Sequence, residues 1–154
     1  MAGNISKVYL SSDHAGIDLR VAVAAHLKSA GYAVEDLGPE QGMSVGYPDY
    51  GARLAMAMKD DSAARGMAIC GSGIGISIAV NRFPWMRAAL VSDATAARLC
   101  REHNDANVLA LGQRLIGQAV AIDCVDVFMA TAFEGGRHMA RVDKLSSIGD
   151  GTAT

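Results

Sequence analysis

The stretch from Met67 to Asn81 joins an apolar strand, a glycine-rich loop and an apolar helix, and it constrains the fold more than any other part of the chain. The strand ends in a thiol, Cys70, and the loop contains Gly71, Gly73 and Gly75. Glycines let the backbone adopt conformations that other residues avoid, and they leave its N–H groups open to a ligand. A helix that begins at such a loop is suited to bind an anion, and its N–H groups and dipole would stabilise a thiolate.

The glycine spacing differs from two common nucleotide-binding motifs. In Gly71-x-Gly73-x-Gly75 the third glycine comes one residue too early for the dinucleotide fingerprint, and the Gly-Lys-Ser/Thr ending of a P-loop is missing. The loop therefore predicts either a closely approaching ligand or a tight turn without one.

Cys70 alone also has a structural interpretation, because free cysteines are often buried as small apolar residues. Cys100 and Cys124 are predicted to lie inside helices and to belong to the core.

Composition and charge limit the class of protein. The chain has 154 residues, 51% of them hydrophobic, and a net charge of −2. We predict one domain over residues 1–148 and a disordered tail over 149–154, and the acidic balance argues against a general nucleic-acid binder. Because the sequence shows neither a signal-peptide core nor a membrane span, we expect a cytoplasmic protein without a membrane partner. Three cysteines without CxxC spacing indicate neither a disulfide framework nor a zinc site.

Apolar strands alternate with helical patterns along the chain. Strands are predicted at 7–12, 32–37, 67–70, 87–91 and 107–111, and helices at 19–30, 48–59, 75–83, 94–102, 117–133 and 137–148. Because no two strands are joined by a hairpin turn, the predicted fold class is α/β, a Rossmann-like three-layer αβα sandwich with a five-stranded parallel sheet. Ligands bind beyond the carboxyl ends of such strands. This edge is predicted to collect Asp13, His14, the loop ending at Tyr47, Cys70 with its glycines, Ser92, Asp93 and residues 112–114.

Three further groups of polar residues each have two interpretations. Asp13 and His14 are either a helix cap or part of a site. The run from His103 to Asp105 is either a helix C-terminus, where a cationic histidine suits the dipole, or part of a site. Arg137 and Arg141, spaced i and i+4 on one predicted helix face, are either solvated or, together with Arg114, a clamp for a phosphate.

Five segments together resemble the type B ribose-5-phosphate isomerases, and in order they cover nearly the whole chain. They are Ser12-Asp13-His14-Ala15-Gly16, Gly46-Tyr47-Pro48, the segment 69–81, the segment 103–112, and Glu134-Gly135-Gly136-Arg137-His138. The resemblance implies a small Rossmann-like isomerase that needs no metal and no cofactor. It also implies a homo-oligomer, dimer or tetramer, in which a neighbouring subunit completes each active site.

The resemblance assigns catalytic roles to four residues. Cys70 corresponds to the base that moves a proton between C1 and C2 of the open-chain sugar, and Ser72 to the hydroxyl beside it. His103 corresponds to the residue that assists ring opening, with Asp13 as its acid/base counterpart. Some relatives lack the thiol and carry a glutamate where this chain has Ile76, which cannot accept a proton; here, therefore, the resemblance leaves Cys70 as the base.

The resemblance also assigns residues that bind the substrate. Asn104 and the amides of Gly71, Gly73 and Gly75 correspond to groups that face the enediolate oxygens, and Tyr47 to a position near the sugar. The phosphate clamp corresponds to His14, Arg114, Arg137 and Arg141.

The expected function is metal-independent interconversion of D-ribose 5-phosphate and D-ribulose 5-phosphate through an enediolate. The same chemistry on another phosphosugar, such as allose 6-phosphate or a tetrose 4-phosphate, is an alternative, because sequence does not report pocket depth. A non-catalytic nucleotide-binding or flavodoxin-like module is an alternative of another class, which the early third glycine disfavours. A redox-sensing role for Cys70 is a further one, weakened by the lack of a resolving cysteine nearby in sequence.

Overall fold

A computed structural model describes residues 4–148. Its five strands are β1 (Val8–Ser12), β2 (Val34–Asp36), β3 (Arg65–Cys70), β4 (Ala88–Leu90) and β5 (Val108–Gly112). The helices are α1 (Ile17–Ser29), α2 (Tyr47–Ala57), α3 (Ile74–Val80), α4 (Ala94–Asn104), α5 (Gln118–Ala130) and α6 (Met139–Leu145), with short 3₁₀ turns at His14–Gly16 and Gly136–His138. Within these residues no helix is long and apolar enough to cross a membrane.

The strands form one sheet in the order β2-β1-β3-β5-β4, and every neighbouring pair is parallel. Side chains alternate between the two faces of the sheet, as the pleat requires. Met67 and Ile69 pack with α1, α4 and α5 on one face, while Ala68 and Cys70 pack with α2 and α3 on the other. This arrangement confirms the predicted three-layer α/β fold with a five-stranded parallel sheet.

Several predicted boundaries were too wide. Strands β2 and β4 have only three residues each, and both lie at the edges of the sheet, where one neighbour rather than two supports the backbone. Helix α3 ends at Val80, because the Asn81 side chain bonds the backbone N–H and C=O of Ala88, at 2.8 and 2.9 Å, and closes the loop to β4.

The single helix predicted over 137–148 was wrong. Gly135 and Gly136 have positive φ angles of 65° and 53°, the chain then makes a 3₁₀ turn, and α6 begins only at Met139. Arg137 lies in the turn and Arg141 in α6, so the two arginines are not one helical turn apart on a single α-helix. The predicted disorder of the tail 149–154 concerns residues outside those described.

Candidate active site

Cys70 is the last residue of β3, and its side chain is almost fully buried under the glycine loop. The backbone N–H of Gly73 donates to the sulfur, with 3.0 Å between N and Sγ. Gly73 has φ 76° and would place a Cβ 2.9 Å from the backbone carbon of Leu111, so this turn requires glycine. An amide dipole aimed at the sulfur stabilises negative charge there.

Eight of the predicted site residues line one cleft beside Cys70, which encloses about 390 Å³. This volume lies in the range of pockets that bind small molecules. The eight are Asp13, His14, Tyr47, Cys70, Gly71, Ser72, Gly75 and Arg114. Cys70 ends β3, Gly75 lies in the first turn of α3, Tyr47 begins α2 and the others follow β1, β3 or β5, so the carboxyl edge of the sheet gathers them as the fold class predicts.

Asp13 and His14 form one wall of the cleft. Asp13 is buried, and its Oδ1 accepts the N–H of Ala15 at 2.8 Å, so the predicted capping role is real and coexists with a position in the cleft. His14 is exposed, and its Nδ1 lies 2.8 Å from the carbonyl oxygen of Val45. A carbonyl only accepts, so Nδ1 carries the hydrogen and Nε2 is left to face a ligand.

Arg114 forms another wall, because the loop after β5 is bonded to the glycine loop. The N–H groups of Gln113 and Arg114 donate to the carbonyls of Cys70 and Gly71, both at 2.9 Å. Arg114 Nη1 lies 3.4 Å from the position that a Cβ on Gly71 would occupy. Gly71 therefore lets the exposed guanidinium lie close to the backbone beside Cys70.

Gly73 lies in the loop over Cys70, and the other four predicted residues, His103, Asn104, Arg137 and Arg141, belong to a second cluster on the same chain, which we call the His103 cluster. Its cleft, about 300 Å³, is lined by His103, Asn104, His138 and Arg141, with Val142 and Leu145. The rings of His103 and His138 stack, with centroids 4.5 Å apart and planes 14° apart. Arg137 Nε donates to His138 Nε2 at 3.3 Å.

The Cys70 cleft and the His103 cluster have no lining residue in common. Asn104, predicted to face the same enediolate as the glycine amides, lines the second cleft and not the first. The amides of Gly73 and Ile74 bond Cys70 Sγ and Ser72 Oγ, so they organise the loop itself. Within one chain, the predicted site is thus divided into two halves.

His103, Glu134 and His138 offer ligand atoms within 4.8 Å of one another, a set that could hold a metal ion. The stacked rings argue against it, because a ligand lone pair lies in the plane of its ring and two nearly parallel planes do not converge on one ion. The N–H of Arg137 also points at His138 Nε2, and Glu134 Oε2 is 3.5 Å from that nitrogen, too far for a good hydrogen bond. As arranged, the cluster suits an anion better than a cation.

Sequence reasoning missed His138 and the Val45 carbonyl. His138 is buried and stacks on His103, and its signal was its position beside Arg137 in the Glu134–His138 segment. The Val45 carbonyl gives no signal in the sequence, because every residue has a backbone carbonyl.

The other two cysteines, Cys100 and Cys124, are core residues, as expected. Burial raises the pKa of Cys100 to about 11, and burial also raises the pKa of Cys124.

A parallel α/β sheet with a thiol, a glycine loop and basic side chains at its carboxyl edge is typical of α/β enzymes that act on small anionic substrates. Comparison with known proteins narrows the class. The model of the ribose/galactose isomerase family matches residues 8–145. The ribose-5-phosphate isomerase B of Escherichia coli is 39% identical over 144 residues, which span 94% of this chain and 97% of that protein.

Solved structures agree with that match. Ribose-5-phosphate isomerase B of Clostridium thermocellum superposes with a TM-score of 0.91 at 46% identity, covering 96% of this chain and 99% of that one. The Mycoplasma genitalium enzyme, solved with bound ribulose 5-phosphate, gives a TM-score of 0.90 at 37% identity and covers 95% and 97%. The chain belongs to the ribose/galactose isomerase family, whose members are aldose–ketose isomerases.

Proposed function

We propose that this protein interconverts D-ribose 5-phosphate and D-ribulose 5-phosphate, with Cys70 as the base. The observation that carries the proposal is the buried Cys70 sulfur, which accepts the Gly73 N–H at 3.0 Å on the floor of a cleft rimmed by His14 and Arg114. Ile76, on the first turn of α3, is fully buried and apolar, so it offers no second base.

The reaction moves one proton between neighbouring carbons. The Cys70 thiolate takes the proton from C2 of the open-chain aldose, and the electron pair of that C–H bond forms the C1–C2 double bond of an enediolate with its charge on O1. The thiol then returns the proton to C1, while the proton of the O2 hydroxyl moves to O1, so that O1 becomes a hydroxyl and O2 the ketone oxygen. Ser72 Oγ accepts the N–H of Ile74 at 3.2 Å, which leaves its own hydroxyl hydrogen free to bond the charged oxygen.

Phosphate binding supplies the orientation for this step. His14 Nε2 and Arg114 stand at the rim of the Cys70 cleft, and both can donate to phosphate oxygens when His14 is protonated. Holding the remote phosphate fixes C1 and C2 over the sulfur and converts binding energy into rate.

The complete site is proposed to form between subunits of a homo-oligomer. Ring opening by His103 and the further phosphate donors Arg137 and Arg141 belong to the His103 cluster, which a second copy would have to bring to the Cys70 cleft. Ile74 and Ile78 on α3 are each 51% exposed, immediately after the glycine loop. An apolar face next to the cleft suits a partner subunit there, because such faces are seldom left in water.

The first experiment measures ketose formation from ribose 5-phosphate by the EDTA-treated protein and its Cys70→Ala and Cys124→Ala variants. We expect activity in the wild type and in Cys124→Ala, whose thiol lies in the core, and a loss of about 100-fold or more in Cys70→Ala. A folded Cys70→Ala protein with near-normal turnover would rule out Cys70 as the base. Loss of activity after EDTA treatment would rule out the metal-independent mechanism.

The second experiment tests the shared site by mixing two inactive variants, Cys70→Ala and His103→Ala, after unfolding and refolding them together. In a dimer with shared sites, each mixed dimer carries one fully wild-type site, so the mixture should recover about a quarter of wild-type activity. Sites formed within single chains would recover none. Sedimentation analysis of the wild type supplies the control, because an active monomer contradicts the proposal directly.

A second sugar is favoured by one observation, the inclusion of galactose in the description of the matching family. Relative kcat/KM values for ribose 5-phosphate, allose 6-phosphate, galactose 6-phosphate and erythrose 4-phosphate decide between these substrates. Preference for a longer or shorter sugar keeps the mechanism and changes the substrate.

We propose that residues 1–148 form one catalytic domain. Because all three cysteines are free, we also propose the reducing cytoplasm as the location of the protein.

A further inference from the structure

Asp105 is the one non-glycine residue with a positive φ between residues 4 and 148. It lies at φ 46° and ψ 42°, in the left-handed region, and it ends α4. This conformation is unfavourable for a residue with a Cβ, although Asp and Asn tolerate it best. Such outliers persist where the surrounding structure holds them, and they cluster at functional sites.

Two arginines hold the carboxylate of Asp105. Arg101 Nη1 lies 2.8 Å from Oδ1, and Arg87 Nη2 lies 2.9 Å from Oδ2. Arg87 Nε also donates to the Asp105 carbonyl at 2.8 Å, and Arg101 Nη1 donates to the Ala106 carbonyl at 2.6 Å. Arg101 is only 2% exposed, so its hydrogen bonds to Asp105 and Ala106 come from a charged group inside the protein.

The residues that depend on this arrangement are His103 and Asn104, the last two of α4. Within the described chain, neither side chain makes a hydrogen bond, and His103 is held by its stack on His138. Their placement therefore depends on the backbone at the end of α4. That backbone is determined by the turn at Asp105 and by the carboxylate between Arg87 and Arg101.

We infer that Asp105 is a positioning residue of the isomerase, which holds His103 and Asn104 in the orientation that the reaction needs. The inference rests on the proposed function, since it assigns His103 and Asn104 to the reacting sugar. Asp105 itself acts through the backbone and contacts no substrate.

Three substitutions separate the turn from the carboxylate. Asp105→Gly adopts the left-handed turn without strain but removes the carboxylate, Asp105→Asn keeps the shape and one acceptor, and Asp105→Ala loses both features. If Asp105 positions the site, kcat should fall by about 10- to 100-fold in the Gly and Ala variants and by less in the Asn variant, with a smaller change in KM. Asp60→Ala, a change at an exposed carboxylate away from both clefts, is the matched control.

Two measurements distinguish positioning from a general loss of structure. The backbone amide NMR signals of β1 should remain those of the wild type, because β3 and β5 separate β1 from β4, the strand that Arg87 precedes. The imidazole NMR signals of His103, assigned through His103→Gln, should shift in Asp105→Gly and stay unchanged in Asp60→Ala.

The inference is overturned if Asp105→Gly keeps both the wild-type kcat and the wild-type His103 signals. It is also overturned if the β1 amide signals change in step with kcat, since that indicates a global rather than a local effect. A wild-type protein without isomerase activity refutes the proposed function instead. The positioning of His103 is then judged from the NMR signals alone.

Discussion

The ring of Tyr47 lies directly on the backbone of Gly75, so close that a Cβ on Gly75 would stand 2.9 Å from the ring carbons. Tyr47 begins α2 and Gly75 is in the first turn of α3. The two helices pack against each other on one face of the sheet, and this contact sets where the tyrosine enters the Cys70 cleft. A glycine of the loop thus shapes the cleft through a side chain that comes from another element.

Replacing Gly75 with alanine should displace the Tyr47 ring and leave the fold intact. Alanine is favoured over glycine inside a helix by about 1 kcal/mol, so the free energy of unfolding should hold or rise. KM for ribose 5-phosphate should rise by about tenfold if the tyrosine contacts the sugar. Steady-state kinetics and urea unfolding of Gly75→Ala test both expectations; an unchanged KM would show that Tyr47 contributes nothing to sugar binding.

Replacing Gly73 with alanine should affect both stability and the Cys70 thiol. Its φ of 76° is unfavourable for alanine, and the new Cβ would meet Leu111 backbone atoms at 2.9 and 3.0 Å. The free energy of unfolding should fall by about 2 kcal/mol or more, and Cys70 alkylation should slow because the N–H donor moves. Gly31→Ala is the matched control, since Gly31 has φ 89° but open space around it; an equal loss of stability in both variants would exclude a contribution from the Leu111 contact.

Arg20 should contribute strongly to stability, because it is a buried arginine that ties three segments together. Its Nη1 and Nη2 donate to Ser12 Oγ at 2.6 Å and to the Pro39 carbonyl at 2.5 Å, and Nε lies 2.9 Å from Asp36 without hydrogen-bond alignment. Arg20→Met should lower the free energy of unfolding by about 2 to 4 kcal/mol.

The control for Arg20→Met is Arg82→Met, a change at an exposed arginine. Its free energy of unfolding should stay within about 0.5 kcal/mol of the wild-type value. Urea unfolding monitored by the single tryptophan measures both. A small effect in both variants would mean that the three Arg20 contacts contribute little net free energy.

The thiol of Cys100 should resist alkylation at pH 8, because burial raises its pKa to about 11 and leaves little thiolate. Labelling should increase about tenfold per pH unit between pH 8 and 10. The same shift predicts that the stability contributed by the neutral thiol, complete below pH 9, is lost as the pH rises through 11. Mass spectrometry after iodoacetamide treatment tests the labelling of Cys100, and urea unfolding of the wild type and Cys100→Ala at several pH values tests the stability. Fast labelling of Cys100 at pH 8 would contradict the raised pKa.

Much of the fold follows from local sequence. Strand β3 could be predicted because four apolar residues precede a run of glycines, and Pro48 marked the start of α2, where the structure has it in the first turn. Asp93 directly precedes α4 and caps it, because its carboxylate accepts the N–H of Ala96 at 2.8 Å. These signals are readable because each depends on residues only a few positions apart.

The division of the candidate site could not be read in the same way. The sequence gives no sign that the carboxylate of Asp105 will meet Arg87, because Arg87 is 18 residues away and immediately precedes β4. The stack of His103 on His138 likewise joins α4 to a turn near the end of the chain. Contacts of this kind depend on how the elements pack and not on the local pattern.

The sequence by itself determined the number and type of the strands, the glycine turn after Cys70 and the edge at which the polar residues collect. The order of the strands was decided only by the tertiary structure. Strand β5 lies between β3 and β4, so Gly112 pairs with Cys70 and Arg114 reaches the glycine loop, whereas Ser92 and Asp93 after β4 do not line the Cys70 cleft. Local periodicity reports which face of a strand is buried, but not which neighbour it pairs with, because long-range pairing depends on the packing of the whole sheet.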